Sequence, residues 1–128
     1  MSFLKPYQPQ LLSLLRIAAG LTLFSFGTQK ILGFPATDAL PPVGSLPWIA
    51  GVLELVLGFL VLIGLWTRLS AFVLSGLMAF AYFIAHAPQS FFPSLNGGTA
   101  AILFSFVFLY LAAAGPGPIS VDAKRGQD

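Results

Sequence analysis

Ionisable side chains are scarce in this sequence, and besides Arg16 three of them lie inside long apolar segments or at their ends: Lys30, Glu54 and His86. An ammonium, a carboxylate and an imidazole are groups that donate or accept protons in catalysis. An ionisable group inside an apolar span costs roughly 2.5–3.5 kcal/mol on insertion scales, so each one needs a partner or a function. We therefore predict that these three residues form a cluster that transfers protons or polarises a bound ligand.

Helical spacing places Lys30 and Glu54 at the same depth. Arg16 and Lys30 are fourteen residues apart, as are Glu54 and Arg68, which corresponds to about 21 Å along a helix. If the helices are antiparallel and both arginines lie near one membrane surface, the lysine and the glutamate lie together near the other. The spacing therefore predicts a Lys30–Glu54 ion pair.

Other polar residues are expected near this pair. Gln29 precedes Lys30, while Tyr82, His86 and Asn96 belong to the end of the third apolar run and the loop that follows it. Together they predict a polar mouth at the outer end of an apolar bundle, where a small polar head group binds. Gln29, Tyr82 and Asn96 are the predicted ligand-binding residues.

Four of these residues also have a structural alternative that the sequence leaves open. Glu54 and Lys30 could hold two helices in register, or Lys30 could extend to the membrane surface. His86 could be a hydrogen-bonded residue at the interface, and Asn96 could cap the fourth helix.

A structural role is predicted for three further charged residues, Arg16, Arg68 and Asp122. Arg16 lies about a turn and a half inside the first apolar run, so its long side chain could reach the lipid head groups or form a pair. Asp122 follows the last apolar run. A contact from Asp122 to Arg16 or Arg68 would close that side of the bundle.

The elements that must position these residues are four apolar runs, at residues 10–32, 47–66, 69–86 and 98–114. Of the 128 residues, 57% are apolar and 8% are charged, which is unlike the composition of soluble domains. One transmembrane helix needs about 20 apolar residues. We predict an all-α fold, a single domain over residues 1–128 that forms an integral membrane bundle of four transmembrane helices.

Basic residues near the helix ends set the expected orientation. One side of the membrane carries Lys5, Arg68, Lys124 and Arg125, whereas the other carries Lys30. Both termini are therefore expected in the cytoplasm, with the loops 33–46 and 87–97 outside. The predicted location is the bacterial inner (cytoplasmic) membrane.

Small residues share helix faces with the charges. A heptad-like stripe on the first helix contains Arg16, Gly20, Leu23, Gly27 and Lys30, and one on the third contains Phe72, Ser75, Ala79, Tyr82 and His86. Small residues allow helices to approach closely in a membrane. We expect these stripes to face other helices and not lipid.

Several classes of site are excluded by composition. Without cysteine, the chain has no disulfide, thiol relay, iron–sulfur cluster or cysteine-bound zinc. Its one histidine excludes a histidine cluster for a metal within one chain. The lysines and arginines do not form a basic cluster of the kind that binds nucleic acid, so no nucleic-acid partner is expected. A redox role would therefore use a cofactor held elsewhere.

The motifs in chain order resemble those of the DoxX family of small membrane proteins. They are Leu15-Arg16, GTQK at 27–30, AGVLE at 50–54, GFLVLIGLWTR at 58–68, Ala85-His86, NGG at 96–98 and GPGPISVD at 115–122. One departure concerns a histidine that many family members carry where this chain has Ser25 or Phe26. The resemblance implies a four-helix membrane protein linked to oxidoreductases, including quinone-linked thiosulfate oxidation and membrane redox complexes.

Three classes of function remain open. The first is a membrane subunit or partner of a quinone-linked oxidoreductase system, with a quinone or similar aromatic ring at the outer mouth and electrons supplied by a partner protein or a bound cofactor. The second is a structural or assembly partner of another membrane protein. The third is small-solute transport as a homo-oligomer. Membrane lipid is a partner in all three, and the chain need not be an enzyme.

Overall fold

The computed structural model describes residues 1–127, and it confirms the predicted all-α class, since no strand occurs in that range. A 3-10 turn at Ser2–Tyr7 leads into the first helix. The helices are α1 (Gln8–Leu32), α2 (Leu46–Ile63), α3 (Thr67–Ala81), α4 (Pro93–Asn96), α5 (Thr99–Ala114) and α6 (Val121–Lys124). A π-helical turn, Tyr82–His86, extends α3.

Local sequence signals account for the ends of the first two helices. Both α1 and α2 end at a glycine in the left-handed conformation, Gly33 at φ 69° and Gly64 at φ 75°, which is a common way to terminate a helix. Ser45 caps the start of α2 by accepting a hydrogen bond from the Trp48 N–H at 3.4 Å. Pro47 occupies the first turn of α2, where its missing N–H costs nothing.

Among the described residues, three helical stretches are long and apolar enough to cross a membrane: Ser2–Leu32, Leu46–Ile63 and Thr67–Gln89. The fourth apolar helix, α5, has 16 residues, or about 24 Å of helix. Large apolar side chains point outward along these helices, including Phe80 and Phe106. Such a surface suits hydrocarbon and not water.

The helices pack as two close pairs. α1 lies along α2 and α3 lies along α5, while the α2–α3 contact is smaller and α1 and α5 hardly touch. Fully buried apolar side chains form the core, among them Leu23, Val61, Leu74 and Phe108. The two pairs are therefore joined mainly by the contact between α2 and α3, and a gap remains between α1 and α5.

Glycines bring α1 and α2 together. A Cβ atom at Gly20 would lie 2.7 Å from the backbone nitrogen of Leu62, and one at Gly58 would lie 3.0 Å from that of Phe24. Because no side chain fits at these positions, the two antiparallel backbones are in contact. The stripe predicted on α1 is correct at Gly20 and Gly27, both of which are buried.

The stripe predicted on α3 is wrong at Phe72, whose surface is 61% exposed. The stripe is correct at Ser75, and the buried face of α3 also includes Ser70, Ala71, Leu74 and Met78. The cause of the error at Phe72 is the π-helical turn that follows Ala81. A π turn contains an extra residue relative to an α-helix, so a straight heptad line drawn back from His86 reaches the wrong face.

Candidate functional site

The predicted ion pair between α1 and α2 is confirmed. Lys30 Nζ lies 2.9 Å from Glu54 Oε1. The glutamate side chain is 4% exposed and the lysine side chain 31% exposed. The pair therefore presents a buried carboxylate and a partly accessible ammonium at one end of the bundle.

Glycines next to the pair make this approach possible. A Cβ atom at Gly51 would lie 2.8 Å from Lys30 Cβ, and one at Gly27 would lie 2.9 Å from the carbonyl carbon of Glu54. Each charged residue thus packs against a glycine of the opposite helix. A larger residue at either glycine would push the helices apart and lengthen the ion pair.

The pair retains unused hydrogen-bonding capacity. Within residues 1–127 the bond between Lys30 Nζ and Glu54 Oε1 is the only hydrogen bond that the side chain of either residue makes. Lys30 therefore keeps N–H donors, and Glu54 keeps its second oxygen as an acceptor. This arrangement can donate to a ligand oxygen and accept from a ligand hydroxyl at the same place.

A second polar group lies where α3 and α5 meet the loop between them. Asn96 is its centre: Nδ2 donates to Tyr82 Oη at 3.0 Å and to the Ser90 carbonyl at 3.0 Å. Its Oδ1 accepts from the Gly98 N–H at 2.8 Å. His86 Nδ1 lies 3.0 Å from the Asn96 carbonyl oxygen. Asn96 therefore orders the loop and the start of α5.

The two polar groups are separate networks. No hydrogen bond or ion pair joins Lys30 or Glu54 to Tyr82, His86 or Asn96 within the described chain. The physical reason is the packing, because the ion pair belongs to α1 and α2, whereas the second group belongs to α3 and α5. Gln29, whose carbonyl accepts from the Gly33 N–H at 3.2 Å, is partly buried beside Lys30.

Arg16 serves the opposite end of the bundle, and it does not extend to the lipid head groups. Its side chain is 1% exposed. The guanidinium donates to the carbonyl of Pro116, to that of Ile119 at 2.7 Å and to that of Leu62 at 3.4 Å. Within residues 1–127 no hydrogen bond joins Arg16 to the Asp122 carboxylate, although the sequence had suggested one; Arg16 binds backbone carbonyls of the tail, those of Pro116 and Ile119, instead.

Asp122 binds the start of α3. Its two carboxylate oxygens accept the N–H groups of Trp66 and Thr67, each at 2.9 Å, and its own N–H donates to the Gly64 carbonyl at 2.8 Å. Burial by itself would raise the pKa of Asp122, but the Thr67 and Trp66 N–H groups and the charge of Arg125 favour the ionised form. The pKa therefore lies below its usual value.

Arg68 and Ser13 make further contacts at this end of the bundle, which we call the closed end because Arg16 and Asp122 bind the tail to the helices there. Arg68 donates to the carbonyls of Ala112, at 3.2 Å, and Ala113, at the last turn of α5, where a cation is favourable. Ser13, which the sequence interpretation missed, donates to the Pro116 carbonyl at 3.3 Å and accepts from the Ile119 N–H at 3.1 Å. Its position three residues before Arg16, in an apolar run, is the signal that could have identified it.

The sequence is similar to known proteins over most of its length. The profile of the DoxX family matches residues 11–87. A Haemophilus influenzae protein described as uncharacterized is 41% identical over 130 residues, which cover 97% of each chain. The chain belongs to the DoxX family. No solved structure matches it.

Membership in the DoxX family, together with the apolar helices, makes this chain an integral membrane protein. The DoxX match includes Lys30, Glu54 and His86 and ends before Asn96 and the tail. The similar Haemophilus protein extends over those parts as well. Both polar groups and the closed end therefore fall within the aligned region of that relative.

Proposed function

We propose that this DoxX-family protein is the membrane subunit or partner of a quinone-linked oxidoreductase system and binds a small ligand at Lys30 and Glu54. The observation that carries the proposal is the ion pair itself. A 4%-exposed carboxylate lies 2.9 Å from an ammonium between two helices that approach closely at their glycines. The family resemblance supplies the link to quinone chemistry.

The proposed topology is one domain of four membrane-spanning helices, α1, α2, α3 with its π turn, and α5, over residues 1–128. Both termini lie in the cytoplasm, at the inner membrane of a bacterium. Support comes from the basic residues Lys5, Lys124 and Arg125 near the termini, since cytoplasmic ends carry an excess of lysine and arginine. The ion pair then lies near the outer surface.

The chemistry of the pair suits a quinone. Reduction of a quinone to a quinol takes up two electrons and two protons, and its oxygen changes from an acceptor to a hydroxyl donor. Lys30 would donate to the quinone oxygen, and Glu54 would accept from the quinol hydroxyl and exchange its proton. A partner protein or a bound cofactor supplies or removes the electrons, because this chain has no cysteine and only one histidine to form a redox centre of its own.

The second polar group, which contains Tyr82, His86 and Asn96, is proposed to assist ligand binding and proton exchange at the same end of the bundle. His86, partly buried beside Asn96, is assigned proton exchange with the outer aqueous side. Tyr82 and Asn96 hold the loop above the bundle, and Gln29 lies next to Lys30 as a further ligand contact. These assignments are proposals that single substitutions can separate from the role of the ion pair.

The proposal is tested by extracting the purified protein with organic solvent and identifying the bound molecules by mass spectrometry. We expect a near-stoichiometric quinone in the wild type and its loss in Glu54→Gln. Asp38→Asn, the same chemical change in an exposed loop residue, is the control and should retain the quinone. Ordinary phospholipid alone in the wild-type extract would count against the proposal and favour an assembly role.

A further inference from the structure

A cleft opens between α1 and α5, at the end of the bundle where α1 begins and α5 ends. It has a volume of roughly 520 Å³ and adjoins a second cleft of roughly 330 Å³. Gln8, Leu12 and Tyr110 line both, so the two form one continuous groove. Its size falls within the range of small-molecule sites, about 300–1,000 Å³.

The groove is part of the fixed closed end. Pro116 and Gly117 form one wall, and this segment is bound to α1 because Ser13 and Arg16 both donate to the Pro116 carbonyl. The opposite wall belongs to α5 and includes Tyr110. The groove is thus shaped by backbone contacts that do not depend on an occupant.

The long direction of the groove follows the membrane-spanning part of α1. Leu11, Leu12 and Leu15 line it, and both Leu11 and Leu15 are exposed. All three lie within Ser2–Leu32, the stretch that is apolar and long enough to span. In a membrane these side chains contact hydrocarbon, so the natural occupant of this part is an acyl chain.

Two exposed basic residues are close in sequence to residues that line the groove. Gln8 and Ala123 line the wider cleft. Lys5 precedes Gln8 by three residues and Lys124 follows Ala123 directly, and both lysines are exposed. Asp122, which directly precedes Ala123, is buried with its carboxylate bound to the Trp66 and Thr67 N–H groups.

We propose that this groove binds an anionic phospholipid, with the phosphate between Lys5 and Lys124 and an acyl chain along Leu11, Leu15 and Tyr110. Basic pockets beside membrane helices are a known means of holding acidic lipid head groups. The site lies at the opposite end of α1 from Lys30. It goes beyond the proposed function and requires only that this end lies at the membrane surface.

Native mass spectrometry tests the proposal on the detergent-purified full-length protein. Phosphatidylglycerol and phosphatidylcholine with identical acyl chains are added at equal concentration. We expect wild type to retain phosphatidylglycerol preferentially, with the preference falling about fivefold for each lysine removed in Lys5→Gln and Lys124→Gln. The double variant Lys5→Arg/Lys124→Arg should keep the wild-type preference.

A second pair of variants separates the groove from the general lipid-facing surface. Tyr110→Ala removes a wall of the groove, whereas Phe106→Ala removes an aromatic side chain that is exposed on the same helix outside it. Retention should fall in Tyr110→Ala and stay unchanged in Phe106→Ala, with circular dichroism showing that both are folded. Equal retention of the two lipids by wild type, or equal effects of the two variants, would overturn the proposal. A stable dimer that carries no preferred lipid would assign the groove to a second copy of the chain and overturn it too.

Discussion

Lys30 on α1 and Glu54 on α2 are 24 residues apart in sequence, and their side chains meet at 2.9 Å across two antiparallel helices. Each packs against a glycine of the other helix, Lys30 against Gly51 and Glu54 against Gly27. The position of the charges and the closeness of the helices therefore depend on the same four residues.

Breaking the ion pair from the lysine side should be more harmful than removing it altogether. Lys30→Met leaves the Glu54 carboxylate buried without its partner, which in buried pairs costs about 3–5 kcal/mol; the partial exposure of Lys30 reduces this to about 1–3 kcal/mol. Lys30→Met/Glu54→Leu removes both charges and should recover most of the lost stability. Thermal unfolding in detergent measures both, and strictly additive losses would contradict a coupled pair.

The glycine contacts should be far more sensitive than a glycine that faces outward. Gly20→Ala places a methyl group against the Leu62 backbone, so we expect a loss of several degrees in thermal unfolding and weaker α1–α2 packing. Gly76 on α3 has no atom within 4 Å of the position of an added Cβ. Gly76→Ala is the matched control and should stabilise by up to about 1 kcal/mol. Equal responses would show that the close approach is absent in solution.

Asp122 should make stability depend on pH in the acid range. Its folded pKa is lowered, so its stabilising contribution is present above the unfolded pKa of about 3.9 and is lost as pH falls through the folded value. Asp122→Ala should cost about 1–2 kcal/mol at neutral pH. In Asp122→Ala we also expect the free energy of unfolding to fall less than in wild type when the pH is lowered into the acid range.

Asp122→Asn refines this test, because an amide oxygen accepts one of the two N–H groups. We expect an intermediate loss at neutral pH, with the Trp66 and Thr67 amides exchanging hydrogen faster than in wild type. Unchanged stability of Asp122→Asn in detergent would count against the role assigned to the tail in closing this end of the bundle.

Asn96 should control the order of the loop at the other end. Asn96→Ala leaves the Gly98 N–H and the Tyr82 hydroxyl without their partners, at a cost of about 1–3 kcal/mol. Hydrogen exchange should rise in residues 87–98 and remain unchanged in α1 and α2. Gln89→Ala, which alters an exposed side chain in the same loop, is the control and should have little effect.

Part of this structure follows directly from sequence. The apolar runs predict helices because they are long and uninterrupted, and glycine and proline mark where helices end. The Lys30–Glu54 pair was predicted from equal spacing to Arg16 and Arg68; the Arg16–Lys30 spacing does run along α1, but α2 ends at Ile63 and Arg68 belongs to α3, so the second spacing is not a depth along one helix. These inferences depend on periodicity and length, which a single sequence displays.

Other parts have no such signal. Arg16 binds the carbonyls of Pro116 and Ile119, and Asp122 binds backbone N–H groups; every residue type carries these backbone groups, so side-chain complementarity could not identify the partners. The π turn after Ala81 shifts the face of α3 without a residue type that marks it. Whether two polar groups meet depends on which helices pair, and that is set by summed packing.

The most direct test of the proposed ligand site is a charge exchange, Lys30→Glu/Glu54→Lys. The exchanged pair preserves an ion pair between α1 and α2 but reverses the donor and acceptor presented to a ligand. Binding of a decyl-substituted benzoquinone to the purified protein should weaken about tenfold or more, the effect of losing a hydrogen bond to a charged group, while thermal stability stays close to that of wild type. Wild-type quinone affinity in the stable exchanged variant, or no quinone binding by wild type itself, would contradict the proposed function and leave the pair as a structural contact between two helices.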